Sequence, residues 1–264
     1  MPVGREPSTH IFKVGVASLE RSDLAEYATM RAAHHLGLAV AAVELQRFED
    51  QAAVLVSRFD RITGPAGEVS RLHQEDLCQA MGLWRASRYE SDGGPSAREV
   101  AERIEAAVDR RRVRSGLRLF ARAAVFNWVT AGTDGHAKNF AFLHSGSRMA
   151  LAPLYDLLSA SLVIPEDEVR FTGALAMKFG GEYRLRKITT RHIGRAAHDL
   201  RVDEDWLFDT ARDYVSRAPD AFATAVAEAG AEISPTDGAA FVDAIARRTQ
   251  ALSISVSTGG DGGE

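Results

Sequence analysis

The chain has 264 residues, 45% hydrophobic and 26% charged, enough apolar material for the core of one large domain or two small ones. A net charge of −4 argues against a general nucleic-acid binder, which would carry a basic face, and a lone cysteine, Cys78, excludes an internal disulfide and a multi-cysteine metal site. Apolar runs fall short of the roughly 18 residues that span a bilayer, and MPVGREPSTHIFKVG lacks the apolar core of a signal peptide, so a soluble cytoplasmic protein with no membrane contact is expected.

The first predicted element is a strand in THIFKVG, where apolar and polar residues alternate up to Gly15. SDLAEYATMRAAHHLGL follows as a helix, capped by Ser22 or Asp23 and stopped at Gly37. AVAAVELQRF and QAAVLVSRFDR read as two strands around a turn at Glu49–Asp50. GPAGEVS is a loop, and HQEDLCQAMGL begins a helix with acids in its first turn. Ser96, at the end of the turn-rich SRYESDGGPS, caps AREVAERIEAAV. LRLFARAAVFNWVTAG is apolar enough to be buried on most sides. FAFLHSGSRMALAPLYDL reads as a hairpin turning at Ser145–Ser147, with Asp156 just past its second strand. From Thr189 to about Ser253 the pattern is mostly helical, and STGGDGGE reads as a disordered tail. The expected architecture is α+β: a small β-rich part over residues 1–62, a larger helical part over 63–255 and a tail over 256–264.

Between the buried helix and the hairpin lies TDGHAKN. Asp134 and Asn139 are five residues apart, and Asp156 comes 17 residues later, beyond the hairpin. An Asp, an Asn at that offset, a hairpin and a second Asp suit phosphoryl transfer. The first Asp accepts the proton of an acceptor hydroxyl. The Asn oxygen and the second Asp hold Mg²⁺, which takes hard oxygen ligands. Lys138 supplies positive charge where the moving phosphoryl group is negative. DGHAKN alone is as compatible with an ordinary polar turn; Asp156 after an apolar hairpin shifts the balance toward a site. Upstream, Lys13 on the first strand and Glu26 on the next helix match the lysine–glutamate pair of kinase-like folds. Their ordinary readings are an edge-strand lysine and a solvated helix face.

Other residues carry less. Asp109–Arg114, DRRRVR, reads as a solvated helix end. His34 and His35 favour a helix C-terminus, Cys78 reads as core, and Trp84, Trp128 and Trp206 as packing residues. His192 and His198 show no ligand spacing.

Taken together, STHIFKVG, EYATMRAAHHLGL, VLVSRFDR, RLHQEDLCQAMGL, RYESDGGPS, TDGHAKNFAFL, LAPLYDLLSA and LAMKFGG resemble the HipA family of serine/threonine kinases, toxins of bacterial toxin–antitoxin pairs. The resemblance runs over residues 8–181. It implies a protein-kinase-like fold and an ATP- and Mg²⁺-dependent enzyme that phosphorylates a protein hydroxyl. Asp134 would be the catalytic base, and Asn139 and Asp156 the metal ligands. Lys13 would contact the ATP phosphates, with His136 and Lys138 on the phosphate side and Tyr155 beside the nucleotide. Ser57, Arg58 and Phe59 would form the hinge against adenine, mostly through backbone groups. The family often has Glu at position 57 and Arg at position 135, where this chain has Ser and Gly.

Twelve residues precede Lys13, and VGREPS is not the family's Gly-rich, phosphate-covering loop. The expectation is therefore a short amino-terminal lobe, with a separate protein able to supply the missing segment. The implied partners are a protein substrate, for which a translation component such as an aminoacyl-tRNA synthetase is the family's precedent, and a HipB-like DNA-binding antitoxin; direct nucleic-acid binding is not expected. The alternative is a catalytically impaired kinase-like binding module or one part of a split kinase. A Mg²⁺ nuclease would use similar carboxylates but fits the acidic net charge and the order of the two lobes less well.

Overall fold

The computed structural model describes residues 7–257 apart from positions 17, 50 and 147. The β-rich part comprises β1 (His10–Lys13), α1 (Ser22–His35), β2 (Val43–Phe48) and β3 (Gln51–Ser57). Two short hairpin strands follow, β4 (Arg61–Thr63) and β5 (Val69–Arg71), then β6 (His73–Asp76) and the single turn α2 (Leu77–Ala80). The helical part holds α3 (Ala97–Ala107) and α4 (Val113–Thr130), then the strands β7 (Ala141–Ser145) and β8 (Arg148–Leu151). It continues through α5 (Glu166–Thr172), β9 (Ala174–Phe179), β10 (Glu182–Arg184), α6 (Thr190–Leu200), α7 (Glu204–Ala229) and α8 (Pro235–Ser257). The fold is α+β, a small β-rich part followed by a larger helical one. No helix among the described residues is long and apolar enough to cross a membrane.

Strands β1, β3 and β2 form an antiparallel sheet in that order, with Lys13 opposite Val54 and Val43 opposite Val56. The β2–β3 turn holds Glu49 at φ 56°, with Asp50 outside the described residues. Val43, Val54 and Val56 are buried on the core side of this sheet. Helix α1 meets β3 through an alanine-rich surface, with Ala25, Ala28, Ala32 and Ala33 all fully buried. Small side chains there let helix and sheet approach closely and hold Lys13 near Glu26. Elsewhere α1 packs along α7.

Helix α4 is the axis of the helical part. Phe120, Phe126 and Trp128 are buried on it, and α7 and α8 cover it with Tyr214, Phe222, Phe241 and Ile245. The Trp128 ring stacks on Phe179 of β9 at 5.4 Å. A chain of buried hydrogen bonds ties α1, α4 and the segment after Asp156 together. Thr29 donates to the Ala25 carbonyl at 2.7 Å and accepts from the Ser159 N–H at 3.1 Å. The Ser159 hydroxyl donates to the Thr130 carbonyl at 2.5 Å, and the Ala160 N–H to Ala131 at 3.0 Å.

Several expectations need correction. Neither Ser22 nor Asp23 caps α1: Arg21 holds the cap position in a left-handed backbone, and the Ser22 hydroxyl accepts instead from the Val16 N–H at 2.7 Å. HQED is a strand, not the first turn of a helix, because it pairs with β7 from His73↔His144 to Asp76↔Ala141. Asp76 then caps α2 in a reciprocal pair with Gln79. GPAGEVS is the turn and part of the second strand of the β4–β5 hairpin, so the boundary expected at 62/63 falls inside β4. Trp84 is 76% exposed and does not pack. Helix α8 runs through Ser257, so the expected tail begins within it; residues 258–264 lie outside the described residues. Ser96 caps α3 as expected, with Glu99 reaching back to its N–H at 2.8 Å.

Candidate active site

The loop after α4 is shaped by one buried carboxamide. Ala131 closes the helix in a left-handed conformation, and the Gly132 N–H bonds the Asn127 carbonyl at 2.7 Å. The Asn127 side chain lies against both glycines of the loop. A Cβ would stand 2.4 Å from its Oδ1 at Gly132 and 2.3 Å from its Nδ2 at Gly135. These glycines are therefore demanded by space rather than by backbone angle. The chain then turns tightly, with the His136 N–H on the Asp134 carbonyl at 2.8 Å and the Asn139 N–H on that of His136 at 2.9 Å. This leaves the Asp134 side chain 59% exposed at the cleft and Asn139 buried beneath it. The Tyr89 hydroxyl donates to Asp134. Burial pushes the Tyr89 phenol above its ordinary range, and the Asp134 bond pushes it further, so it remains a donor.

The hairpin β7–β8 returns the chain to Asn139. Asp156 sits there at φ 60°, an uncommon backbone for a residue other than glycine and one that Asp and Asn tolerate best. Asn139 Nδ2 lies 3.3 Å from Asp156 Oδ2, and Asn139 Oδ1 is buried with no hydrogen-bond partner. The carboxamide turns its nitrogen to this half-exposed carboxylate; with the amide turned over, its unpartnered oxygen would form with Asp156 a hard-oxygen pair, the donor chemistry that Mg²⁺ takes, and the residues fit such an ion. Asp156 Oδ1 accepts from Lys13 Nζ at 2.6 Å, and the same ammonium reaches Glu26 Oε1 at 2.6 Å. Burial works against the Lys13 charge, but the two carboxylates outweigh it and hold the ammonium above its ordinary value. Glu26 is raised by its own burial, only partly offset by Lys13. One cation shared between two carboxylates leaves the trio with a surplus negative charge, so a second cation is electrostatically welcome.

The remaining predicted residues surround this trio. His136 Nε2 is 4.0 Å from Asp134 Oδ1, and its ring meets the Tyr89 ring edge-on at 4.9 Å. Burial lowers the His136 imidazole below its ordinary value, against the pull of the Asp134 and Asp156 carboxylates. The Lys138 ammonium bonds Asp76 at 2.5 Å rather than Asp134, Asn139 or Asp156. Tyr155 donates to the Lys138 carbonyl at 2.6 Å and lies 5.7 Å from the Phe59 ring. The Ser57 and Arg58 N–H groups are committed to the carbonyls of Ala42 and Thr9, both at 2.9 Å. The Arg58 guanidinium grips Asp60 through two bonds of 2.9 and 2.8 Å. Hinge contacts through the N–H groups of Ser57 and Arg58 would thus require those bonds to open.

Residues 2–226 match the model of the HipA-like C-terminal domain. The chain belongs to that family. Among HipA-like relatives it is 35% identical over 188 residues to the kinase-named protein Y4mE of Sinorhizobium fredii, covering 71% of this chain and 43% of that protein. It is 30% identical over 243 residues to the serine/threonine-protein kinase toxin HipA of Shewanella oneidensis, covering 84% and 52%. The chain thus spans about half the length of the curated relatives it matches. A chain of the Shewanella oneidensis MR-1 complex of HipA, HipB and operator DNA superposes with a TM-score of 0.82 at 26% identity, over 95% of this chain and 60% of that one. The Helicobacter pylori proinflammatory kinase CtkA shares the fold, with a TM-score of 0.65 at 12% identity over 94% and 89%.

Three residues of this HipA-like site escaped the sequence reading. Tyr89 stands in the RYESDGGPS stretch, but nothing there signals a bond to a residue 45 positions away. Asp76, the partner of Lys138, was read within the first turn of a helix. Asn127, buried at 7% exposure, lies inside an apolar helix, and a polar residue in that apolar run just before two loop glycines was the signal available.

Proposed function

We propose that the protein is a HipA-like serine/threonine protein kinase that transfers the γ-phosphoryl group of ATP to a protein hydroxyl. The carrying observation is the linked set Lys13, Glu26, Asp156 and Asn139, with Asp134 at the same cleft. Asp134 accepts the proton of the acceptor hydroxyl as its oxygen attacks phosphorus. For this the Tyr89 hydrogen must leave that carboxylate or move to its other oxygen, since a bonded oxygen is a weaker base. Lys13 exchanges its bond to Asp156 for the nucleotide phosphates and keeps Glu26. That exchange frees Asp156 to join the Asn139 oxygen in holding Mg²⁺. Held by those two residues, the ion would supply positive charge against that of the phosphates. His136, whose imidazole burial shifts toward the neutral form, stands on the phosphate side. Lys138 holds Asp76 or turns to the phosphates, and Tyr155 and Phe59 flank the base beside the Ser57–Phe59 hinge.

The whole reading includes a toxin role in a toxin–antitoxin pair, a HipB-like antitoxin, a cytoplasmic setting and a protein substrate of the translation apparatus. The superposed Shewanella complex and the named relatives support the toxin and antitoxin parts of it at family level. The test is transfer of labelled γ-phosphate to candidate proteins and to the chain itself. Asp134→Asn is expected to lower transfer by about 10²–10⁴-fold at unchanged Mg–ATP binding; transfer as fast as the parent would sink the proposal. A second reading, a binding module without catalysis, draws support from Tyr89 on Asp134 and from the committed hinge N–H groups. Its signature is no heat of Mg–ATP binding in calorimetry, both alone and with the products of neighbouring genes.

A further inference from the structure

Away from the cleft, β6 and β7 bring three metal-ligating side chains together. His73 and His144 are direct cross-strand partners, with ring centres 4.8 Å apart. Glu75, two residues along β6, projects to the same face of the sheet. Its Oε2 lies 2.8 Å from His144 Nε2 and its Oε1 3.8 Å from His73 Nε2. One ligand atom from each of the three falls within 4.8 Å of the others.

A bond between His144 and Glu75 would account for those two residues alone. It leaves His73 unexplained: the side chain is 67% exposed, too far from Glu75 for a hydrogen bond, and still sits over the His144 ring. We propose that His73, Glu75 and His144 bind one divalent ion of the zinc class, which clamps β6 to β7. Two imidazoles and one carboxylate form a nitrogen-rich set suited to zinc and its neighbours, and unlike the oxygen pair of Asn139 and Asp156. In a tetrahedral site with bonds of about 2.0–2.1 Å, ligand atoms stand roughly 3.3 Å apart. The set must contract, and exposed His73 can do so by a change of rotamer. Solvent reaches the cluster, so water completes the coordination. The clamp lies at the start of β6, whose other end is Asp76, and within β7, which follows Asn139 almost at once. The ion therefore stiffens the strand pair that carries one flank of the cleft.

The test uses the full chain without a histidine tag. One equivalent of Co²⁺ is expected to give the intense visible bands of low-coordinate cobalt, displaced by Zn²⁺, and Zn²⁺ alone is expected to raise Tm. His73→Ala and His144→Ala should abolish the bands and the Tm gain. Zn²⁺ affinity should fall more than about a hundredfold, beyond the cost of losing an outer-shell partner. Asp156→Asn should keep both responses, which separates this ion from one in the cleft. A cobalt spectrum identical to the free aqua ion, or an undiminished Tm gain in His73→Ala, would overturn the site. His73 is exposed, so that variant stays informative even if His144→Ala does not fold.

Discussion

The sheet β1–β3–β2 and the helices around α4 are saturated with apolar contact to different degrees. In the helical part, Trp128, Phe126, Phe222 and Phe241 are all within about one per cent of full burial, while Trp84 and Phe171 are large apolar residues it exposes. In the sheet, Val54 is buried while Ile11, Phe12 and Phe48 are 42%, 50% and 47% exposed, and Phe12 meets Phe48 edge-on at the surface. The proposed site is built from both. Lys13 comes from the thinly covered sheet, and Asp134, Asn139 and Asp156 from loops anchored on the dense core. Local stability therefore differs across the cleft, and the side that carries Lys13 is the softer one.

Truncation tests that contrast most strongly. Trp128→Ala is expected to cost about 3–5 kcal/mol of unfolding free energy, the usual range for emptying a buried aromatic site. Phe12→Ala should cost roughly 0.5 kcal/mol or less. Equal costs in denaturant titrations would break the comparison. Lys13→Met sharpens it on the functional side. Loss of one charge-assisted contact should weaken Mg–ATP by about 1.5–3 kcal/mol, roughly ten- to a hundredfold, and leave adenosine almost unchanged. An equal loss for both ligands in calorimetry would make Lys13 a residue of the fold rather than of the phosphates.

Gly135→Ala probes the anchored side. Its new Cβ meets Asn127, and overpacking of that kind costs about 1–3 kcal/mol. The cost should shrink in an Asn127→Ala background, where the clash has gone; an unchanged cost in the double-mutant cycle would mean that Asn127 does not shape the loop. The smallest effect is a difference in acid response. Burial holds His192 below its ordinary 6.5, and its Nδ1 accepts from the Thr189 N–H at 3.0 Å at the start of α6. That stability is full above pH 6.5 and is lost as pH falls through the depressed folded value. Asp60, beside the hinge, is buried, yet Arg58 and Arg61 hold it below its ordinary 3.8. Its contribution persists above pH 3.8 and is lost as pH falls through its folded value. Protection factors at the start of α6 should thus fall in mild acid before those of the β3–β4 link. The reverse order would reject the assignment.

Much of this was legible in the sequence because it rests on short-range pattern. Alternation marks β1, β2 and β3, Ser96 announces the cap of α3, and the spacing from Asp134 to Asn139 and Asp156 announces a hairpin that returns to its origin. The Lys13–Glu26 bond follows from adjacent elements. What stayed hidden depends on distant partners. His73–Asp76 is polar on both faces and becomes a strand only because β7 offers it hydrogen bonds. Tyr89 and Asp76 acquire their roles from Asp134 and Lys138, 45 and 62 positions away. The paired strands β9 and β10 were not read as strands; Gly180 at their turn, at φ 58°, lies against the His192 backbone of α6, a contact no local pattern encodes.

The hydroxyl of Thr29 bears on how such a molecule can be switched. In many kinases the helix that carries the glutamate swings away to silence the enzyme. Here α1, which carries Glu26, is stitched to the foundation of the loop that bears Asp134 through Thr29, Ser159 and Thr130. Swinging it would strand buried donors and acceptors at about 1–3 kcal/mol each. The lever is welded to its frame. On the proposed function, control is then easier to exert on what enters the cleft, or on the Tyr89 hydroxyl that rests on Asp134, than on the posture of that helix.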